Sequence, residues 1–243
     1  MMLLTLRQLF LKFPSILPSD SRPIGRTALI QHSIDLMEGT TPRRIAAYRV
    51  PHSKRIQLDK ETEGMLNTGI ISPSRSPWSS PILLIPKSDG NFRVVADFRY
   101  VNSKTIKESF PMCDIKTLLL DINKKSKIFS SIDLKKGFLQ VPLNESSKPI
   151  TAFSTHPGHY HYNVAPMGLT NSPLTFCRLM SLVLQGLLSD HVLIYMDDIL
   201  VTSETREEHV YPTFFKDYRA QTSPSTPPSV PFLRVRLSLS DIP

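Results

Sequence analysis

Short apolar runs alternate with polar turns along most of this chain, and their spacing predicts an α+β fold. Ile82 to Pro86 and Phe92 to Ala96 flank Ser88-Asp89-Gly90-Asn91, which predicts a β-hairpin with Lys87 and Arg93 near one another. Thr151 to Ser154 and His159 to Val164 bracket Pro157-Gly158 as a second hairpin. Val192 to Val201 predicts a third, two β-branched runs joined by a tight turn. Ile128 to Asp133 reads as a strand, followed by a short helical turn over Lys135 to Leu139. Helices are predicted from Ser53 (cap) to Thr68, ended by Gly69, and from Asp114 to Ile122. Another starts at Ser172, runs to about 185–188, and offers Leu174, Met180, Leu182 and Leu187 for burial. Leu3, Leu6, Leu9, Phe10 and Phe13 recur at helical spacing and predict an amphipathic N-terminal helix. Pro14, Pro18 and Pro23 make the stretch to Thr41 loop-like, and residues 70–81 read as extended.

The pattern stops near His209. Residues 211–243 are rich in proline, serine and threonine without an apolar period, which predicts disorder. The expected organisation is a helix and linker over 1–52, a core over 53–210, and this tail. With 243 residues and 40% hydrophobic content, the chain can bury one sizeable core or two small ones. A net charge of +8 favours a polyanionic partner such as nucleic acid, although an inert basic surface has the same charge. Two cysteines, Cys113 and Cys177, support neither a disulfide framework nor a zinc site. No run is apolar and long enough to span a membrane, no address signal is clear, and an intracellular place (cytoplasm or nucleus) is expected.

The chemistry concentrates at the third hairpin. Asp197 and Asp198 sit side by side at its turn, where two like charges repel unless a hard cation such as Mg²⁺ takes their oxygens. A solvated Asp-Asp turn is the bland alternative. Asp133 is the candidate third ligand, delivered to the end of an apolar strand, with a helix cap as its alternative role. Three carboxylates on two strand ends can hold two Mg²⁺ about 3.5–4 Å apart for in-line phosphoryl displacement. One ion would activate a nucleic-acid 3′-hydroxyl and the other would hold nucleotide phosphates.

Tyr195-Met196-Asp197-Asp198, the Asp133 segment and Leu83 to Asn102 resemble the reverse transcriptase of Ty3/gypsy-type long-terminal-repeat retroelements. Upstream, His32-Ser33-Ile34-Asp35-Leu36 and Tyr48-Arg49-Val50-Pro51 are similar to the family's protease-to-polymerase linker. Ser76-Pro77-Trp78-Ser79-Ser80-Pro81, Asp97-Phe98-Arg99, Thr151-Ala152-Phe153 and Pro166-Met167-Gly168-Leu169 follow in the family's order. The resemblance implies the fingers and palm of a right-hand polymerase, an antiparallel palm sheet with helices on one side. It implies Asp133, Asp197 and Asp198 as metal-binding catalytic acids, with the Leu134 carbonyl as a further metal ligand. Lys87 and Arg93 would hold the triphosphate, or else solvate a hairpin tip. Phe138 would exclude a ribose 2′-hydroxyl, pack in the core, or both. Met167 and Gly168 would line the nucleotide pocket, and Tyr195 and Met196 would approach the primer terminus. The implied cofactor is Mg²⁺, two ions, with Mn²⁺ as a substitute. The implied partners are an RNA or DNA template with primer, a dNTP, and other Pol segments or a second polymerase chain; no membrane is implied.

Ala165-Pro166-Met167-Gly168 stands where the family usually has Met-Pro-Phe-Gly, and Pro149-Ile150-Thr151-Ala152-Phe153 where it usually has Lys-Thr-Ala-Phe. After His209 the tail resembles none of the family's palm helix, primer-gripping hairpin or thumb. Read one base out of register, codons for 210–232 permit a string similar to the family's, so an out-of-frame tail and a missing thumb are expected. Two functional readings follow: an RNA-directed DNA polymerase, or an inactive fingers-palm remnant that at most binds nucleic acid.

Overall fold

The computed structural model describes residues 25–86, 92–110, 122, 125–134, 136–185, 192–195, 198–205 and 233–234. The predicted N-terminal helix, the turn over 88–91, residues 114–121 of the predicted second helix, Leu187 and Cys113 lie outside them.

In chain order the elements are α1 (His52–Asn67), β1 (Ile71–Pro73), β2 (Ile82–Pro86), β3 (Phe92–Ala96), α2 (Arg99–Lys104) and β4 (Ile128–Leu134). Then come 3-10 turns at Gly137–Gln140 and Lys148–Thr151, β5 (Phe153–Ser154), β6 (His159–Tyr162), α3 (Ser172–Val183), β7 (Val192–Tyr195), β8 (Asp198–Ser203) and β9 (Leu233–Arg234). Every strand pair is antiparallel. The mixture is α+β, as the pattern predicts, and β2 and β3 take the predicted bounds.

The chain forms two compact units: one holds Met1–Leu29, Phe110–Gly137 and Phe176–Pro243, the other Ile30–Ser109 and Phe138–Thr175. The first unit contains the four-stranded sheet, in the order β7-β8-β4-β9. Alternation sets its faces. Ile128 and Ser130 on β4 oppose Ser203 and Val201 on β8, and all four are buried, as are Ile199 and Val192. On the other face Phe129, Ser131 and Leu200 are half-buried and Asp198 is exposed, while Thr202, opposite Phe129, is buried, so that face grows wetter toward the acids. β9 is a departure, since two residues of the tail predicted to be disordered pair with the end of β4.

Along α3 the buried apolar residues are Phe176, Leu179, Met180 and Val183, an i, i+3, i+4, i+7 stripe, with Ser172 and Thr175 buried beside it. Met180 is buried as expected, whereas Leu182 lies off that stripe and is 48% exposed, and Leu174 is half-buried. Within the same unit Arg178 lies over the Phe110 ring, its guanidinium carbon 5.2 Å from the centroid.

The second unit contains the β2–β3 hairpin and the sheet β1-β6-β5. Its core includes Phe98, Phe153, Tyr160 and Tyr162, with the Phe153 ring 5.2 Å from Tyr162 and 6.0 Å from Tyr160. α1 starts one residue before Ser53, after Pro51, and no side chain caps it, so Ser53 is not the cap. Its end follows the prediction: Gly69 takes φ +66°, and the N–H groups of Gly69 and Ile70 donate to the Leu66 and Met65 carbonyls. These two bonds satisfy carbonyls that the last turn would otherwise leave open. The turn expected over Lys135 to Leu139 is a 3-10 turn that begins at Gly137. Lys136 has φ +53°, which no right-handed helix accommodates, so the coil cannot start earlier.

Residues 30–41 are loop, as expected, but firmly tied. His32 is 1% exposed and its Nδ1 lies 2.7 Å from the Thr175 hydroxyl. Burial lowers the imidazole pKa to about 4, against the opposite pull of Glu108 and Asp35. Its folded value lies below its unfolded one, so its contribution is fully present above about pH 6.5. That contribution fades as pH falls toward 4, because only the unfolded chain takes up the proton. Between pH 7.5 and 4.5 the wild-type chain should therefore lose about 2.5 kcal/mol more stability than His32→Gln. Urea unfolding of both chains at both pH values measures the difference; equal losses would remove His32 as the cause.

Candidate active site

β4 and β8 run antiparallel through six paired positions, and the last pair sets Asp133 opposite Asp198. β7 places Tyr195 opposite Asp198 from the other side. Asp133, Asp198 and Tyr195 thus form one row across three strands of the first unit. The local cause is simple. Apolar and β-branched residues make up most of both strands behind the acids, and Ile128, Ile199 and Val201 of the inner face are buried, so a register slip would turn that face to water. Asp198 opens β8 and is exposed. Like charges in directly opposed positions destabilise a sheet, and a divalent cation is the usual remedy. The donor chemistry of the row, carboxylate oxygen on neighbouring strands, suits a hard divalent ion. Leu134 ends β4 beside Asp133. Asp197, Met196 and Lys87 lie outside the described residues.

The second unit carries the other candidates. Arg93 stands on β3 opposite Ile85, and its Nη1 lies 3.5 Å from Met167 Sδ. Met167 is 40% exposed. Gly168 follows with φ +97°, a left-handed conformation that a Cβ strains. Its carbonyl accepts a hydrogen bond from Asn102 Nδ2 at 2.7 Å, and Asn102 Oδ1 accepts from the Thr170 N–H at 3.0 Å. One amide side chain thereby mimics a paired strand edge and holds the 168–170 loop at two points. Asn171 repeats the device, donating to the Ile106 carbonyl at 2.8 Å and accepting from the Glu108 N–H at 3.3 Å. Phe138 sits in the 3-10 turn, half-buried.

An alanine Cβ at Gly168 would find its nearest neighbours, the Ala96 carbonyl oxygen and Phe98 Cδ2, at an ordinary 3.9 Å. Space is available, so Gly168→Ala should cost only the backbone term, about 1–2 kcal/mol. The expected result is a modest drop in the midpoint of urea unfolding, set by the strained φ alone. An unchanged midpoint would show that the loop relaxes its backbone at no cost.

A further polar cluster of this unit has no trace in the pattern of hydrophobic and polar positions. Asp97 is 9% exposed, and Arg99 Nε donates to both its oxygens at 2.9 and 3.1 Å. Arg99 Nη2 adds a bond of 2.6 Å to Asp97 Oδ2. The hydrogen bonds from Arg99 hold the Asp97 carboxyl down at about 2, outweighing its burial, and the same pair raises the Arg99 guanidinium. Asp97-Phe98-Arg99 stands out in sequence only through the family resemblance; α2, six residues long, shows no period there at all.

Residues 85–216 match the family model described as reverse transcriptase (RNA-dependent DNA polymerase). The Pol polyprotein of transposon 297 from Drosophila melanogaster is 35% identical over 210 residues, covering 84% of this chain and 20% of that polyprotein. The Pol polyprotein of transposon gypsy from the same organism is 36% identical over 159 residues, covering 63% of this chain and 15% of the relative. Among solved structures, the foamy viral protease-reverse transcriptase in complex with an RNA/DNA hybrid superposes with a TM-score of 0.80 at 23% identity. That likeness covers 97% of this chain and 31% of the viral chain, and it establishes the fold as fingers and palm of a right-hand polymerase. The chain spans about a fifth of the length of its transposon 297 relative.

Proposed function

This chain belongs to the reverse transcriptase (RNA-dependent DNA polymerase) family, and on that footing we propose that it acts as an RNA-directed DNA polymerase of a gypsy-type retroelement. It would add a dNTP to a primer 3′-hydroxyl on an RNA or DNA template. The observation that carries the reading is the β4–β8 register, which sets Asp133 opposite Asp198 at the ends of two strands.

In this reading Asp133, Asp197 and Asp198 hold two Mg²⁺, with the Leu134 carbonyl as a further ligand. The bound ions supply charge neutralisation on the phosphates and a lowered pKa for the attacking hydroxyl. The chain's own residues do the positioning. Tyr195, in the same cross-strand row, would support the primer terminus together with Met196. Arg93, with Lys87, would hold the triphosphate through charge-assisted hydrogen bonds. Met167 and Gly168 would floor the nucleotide, on a loop that Asn102 holds at two backbone groups. Phe138 would exclude a ribose 2′-hydroxyl and so favour deoxynucleotides. Further segments of the polyprotein, or a second polymerase chain, would extend the grip on the duplex.

A chain-terminated primer on an RNA template tests this reading without chemistry. The next complementary dNTP with Mg²⁺ should lengthen the lifetime of the protein–primer–template complex, and a mismatched dNTP should not. A lifetime indifferent to the nucleotide would leave a nucleic-acid binder and no polymerase site.

A further inference from the structure

The segment before α1 contributes a side chain to the polar cluster at Asp97. The Tyr48 hydroxyl donates to Asp97 Oδ2 at 2.9 Å and accepts from Arg99 Nη2 at 3.2 Å. Tyr48, Asp97 and Arg99 therefore close a ring of hydrogen bonds around one carboxylate. The Asp97 side chain is 7% exposed and that of Arg99 is 82% exposed. An arginine so exposed ordinarily samples many rotamers, and ordering it on a ligand costs affinity. Arg99 is ordered in advance through Nε and Nη2, while its Nη1 has no hydrogen-bond partner among the described residues. One edge of the fork is fixed and the other is open.

The surroundings indicate what that edge faces. Between Glu38 and Asp59 the chain carries Arg43, Arg44, Arg49, Lys54 and Arg55 with no acidic residue. Arg43, Arg44 and Arg49 are exposed, and the Arg43 guanidinium lies 5.0 Å over the Tyr100 ring, in the turn that follows Arg99. Backbone bonds keep the segment in place: the Ile45 N–H donates to the Ser79 carbonyl and the Ser79 N–H to the Arg43 carbonyl. A fixed guanidinium edge in a basic surface suits an anionic oxygen.

We propose that Tyr48 is a positioning residue for nucleic-acid binding, its hydroxyl holding the Arg99 guanidinium so that the open edge meets a backbone phosphate. The inference rests on the polymerase reading for its ligand, and gives the linker-like stretch before α1 a part in the interface.

The test is equilibrium binding of the full chain to an RNA/DNA primer-template hybrid across a salt series. Four chains are compared: wild type, Tyr48→Phe, Arg99→Gln and the double variant. Arg99→Gln should weaken binding about tenfold and reduce the slope of log affinity against log salt by about one. Tyr48→Phe should weaken binding about threefold to tenfold in the wild-type background. In the Arg99→Gln background it should change nothing. A purely structural Tyr48 would instead lose the same factor in both backgrounds, which overturns the proposal, as does no loss at all. The salt slope is independent of the fraction of folded protein, so a partial folding defect cannot imitate the result. If the wild-type chain shows no salt-dependent binding, the polymerase reading falls and the proposal with it. Normal wild-type binding without the Tyr48 coupling sinks the proposal alone.

Discussion

Asp198→Asn is expected to cut nucleotide incorporation by about a thousandfold or more, the rate equivalent of losing several kcal/mol of charge stabilisation. The fold should survive the change. Asp198 is exposed at the first position of β8, and asparagine keeps its shape while removing a charge. Asp133 stands directly opposite it, and relieving such a like-charge pair is worth about 0.2–1 kcal/mol. In metal-free buffer the variant should therefore unfold at the same midpoint or slightly higher, while its activity is gone. Adding Asp133→Asn should cost little more, because residues that act as one unit do not lose activity additively. Activity and thermal unfolding measured on the same preparations check both halves. A variant that loses activity only because it unfolds would not support the assignment.

Phe153→Ala should produce the largest loss of stability in the second unit. Phe153 is 0% exposed and its ring packs on Tyr160 and Tyr162 in the middle of the three-stranded sheet. Removing a ring so enclosed costs about 3–5 kcal/mol, from lost transfer energy and the cavity left behind. Phe153→Leu should recover part of it, since the cavity is then partly filled. Denaturant unfolding of the three chains measures the series. An alanine variant within about 0.5 kcal/mol of wild type would show that the site collapses freely, contrary to a close-packed core.

Several features were legible because their signals are local. The β2–β3 hairpin was readable from two apolar runs flanking a turn sequence, and the end of α1 from the need for glycine at a left-handed position. Asp133 and Asp198 could each be placed at a strand end from an apolar run. Their partnership could not be read in the same way, because residues 133 and 198 meet only when β4 and β8 pair. The Tyr48–Asp97 bond joins residues 49 positions apart and leaves no periodic trace. Leu182 misled because an apolar residue beside a stripe looks like one within it; the 3.6-residue period decides, and Phe176, Leu179, Met180 and Val183 satisfy it. The Lys135 turn started late for a purely backbone reason, the positive φ of Lys136. Ser53 has the residue type of a cap, but Pro51 precedes the first turn and no side chain caps it. β9 had no signal at all in a segment whose composition argues against order.

The most direct test of the central claim is single-nucleotide incorporation by the full chain. A labelled DNA primer on an RNA template would be supplied with one complementary dNTP and Mg²⁺, beside a reaction containing EDTA. The expected result is a primer longer by one nucleotide in Mg²⁺ alone, with the complementary dNTP and not with the corresponding ribonucleotide. A primer left unextended by chain that is folded and bound to the hybrid would contradict the account.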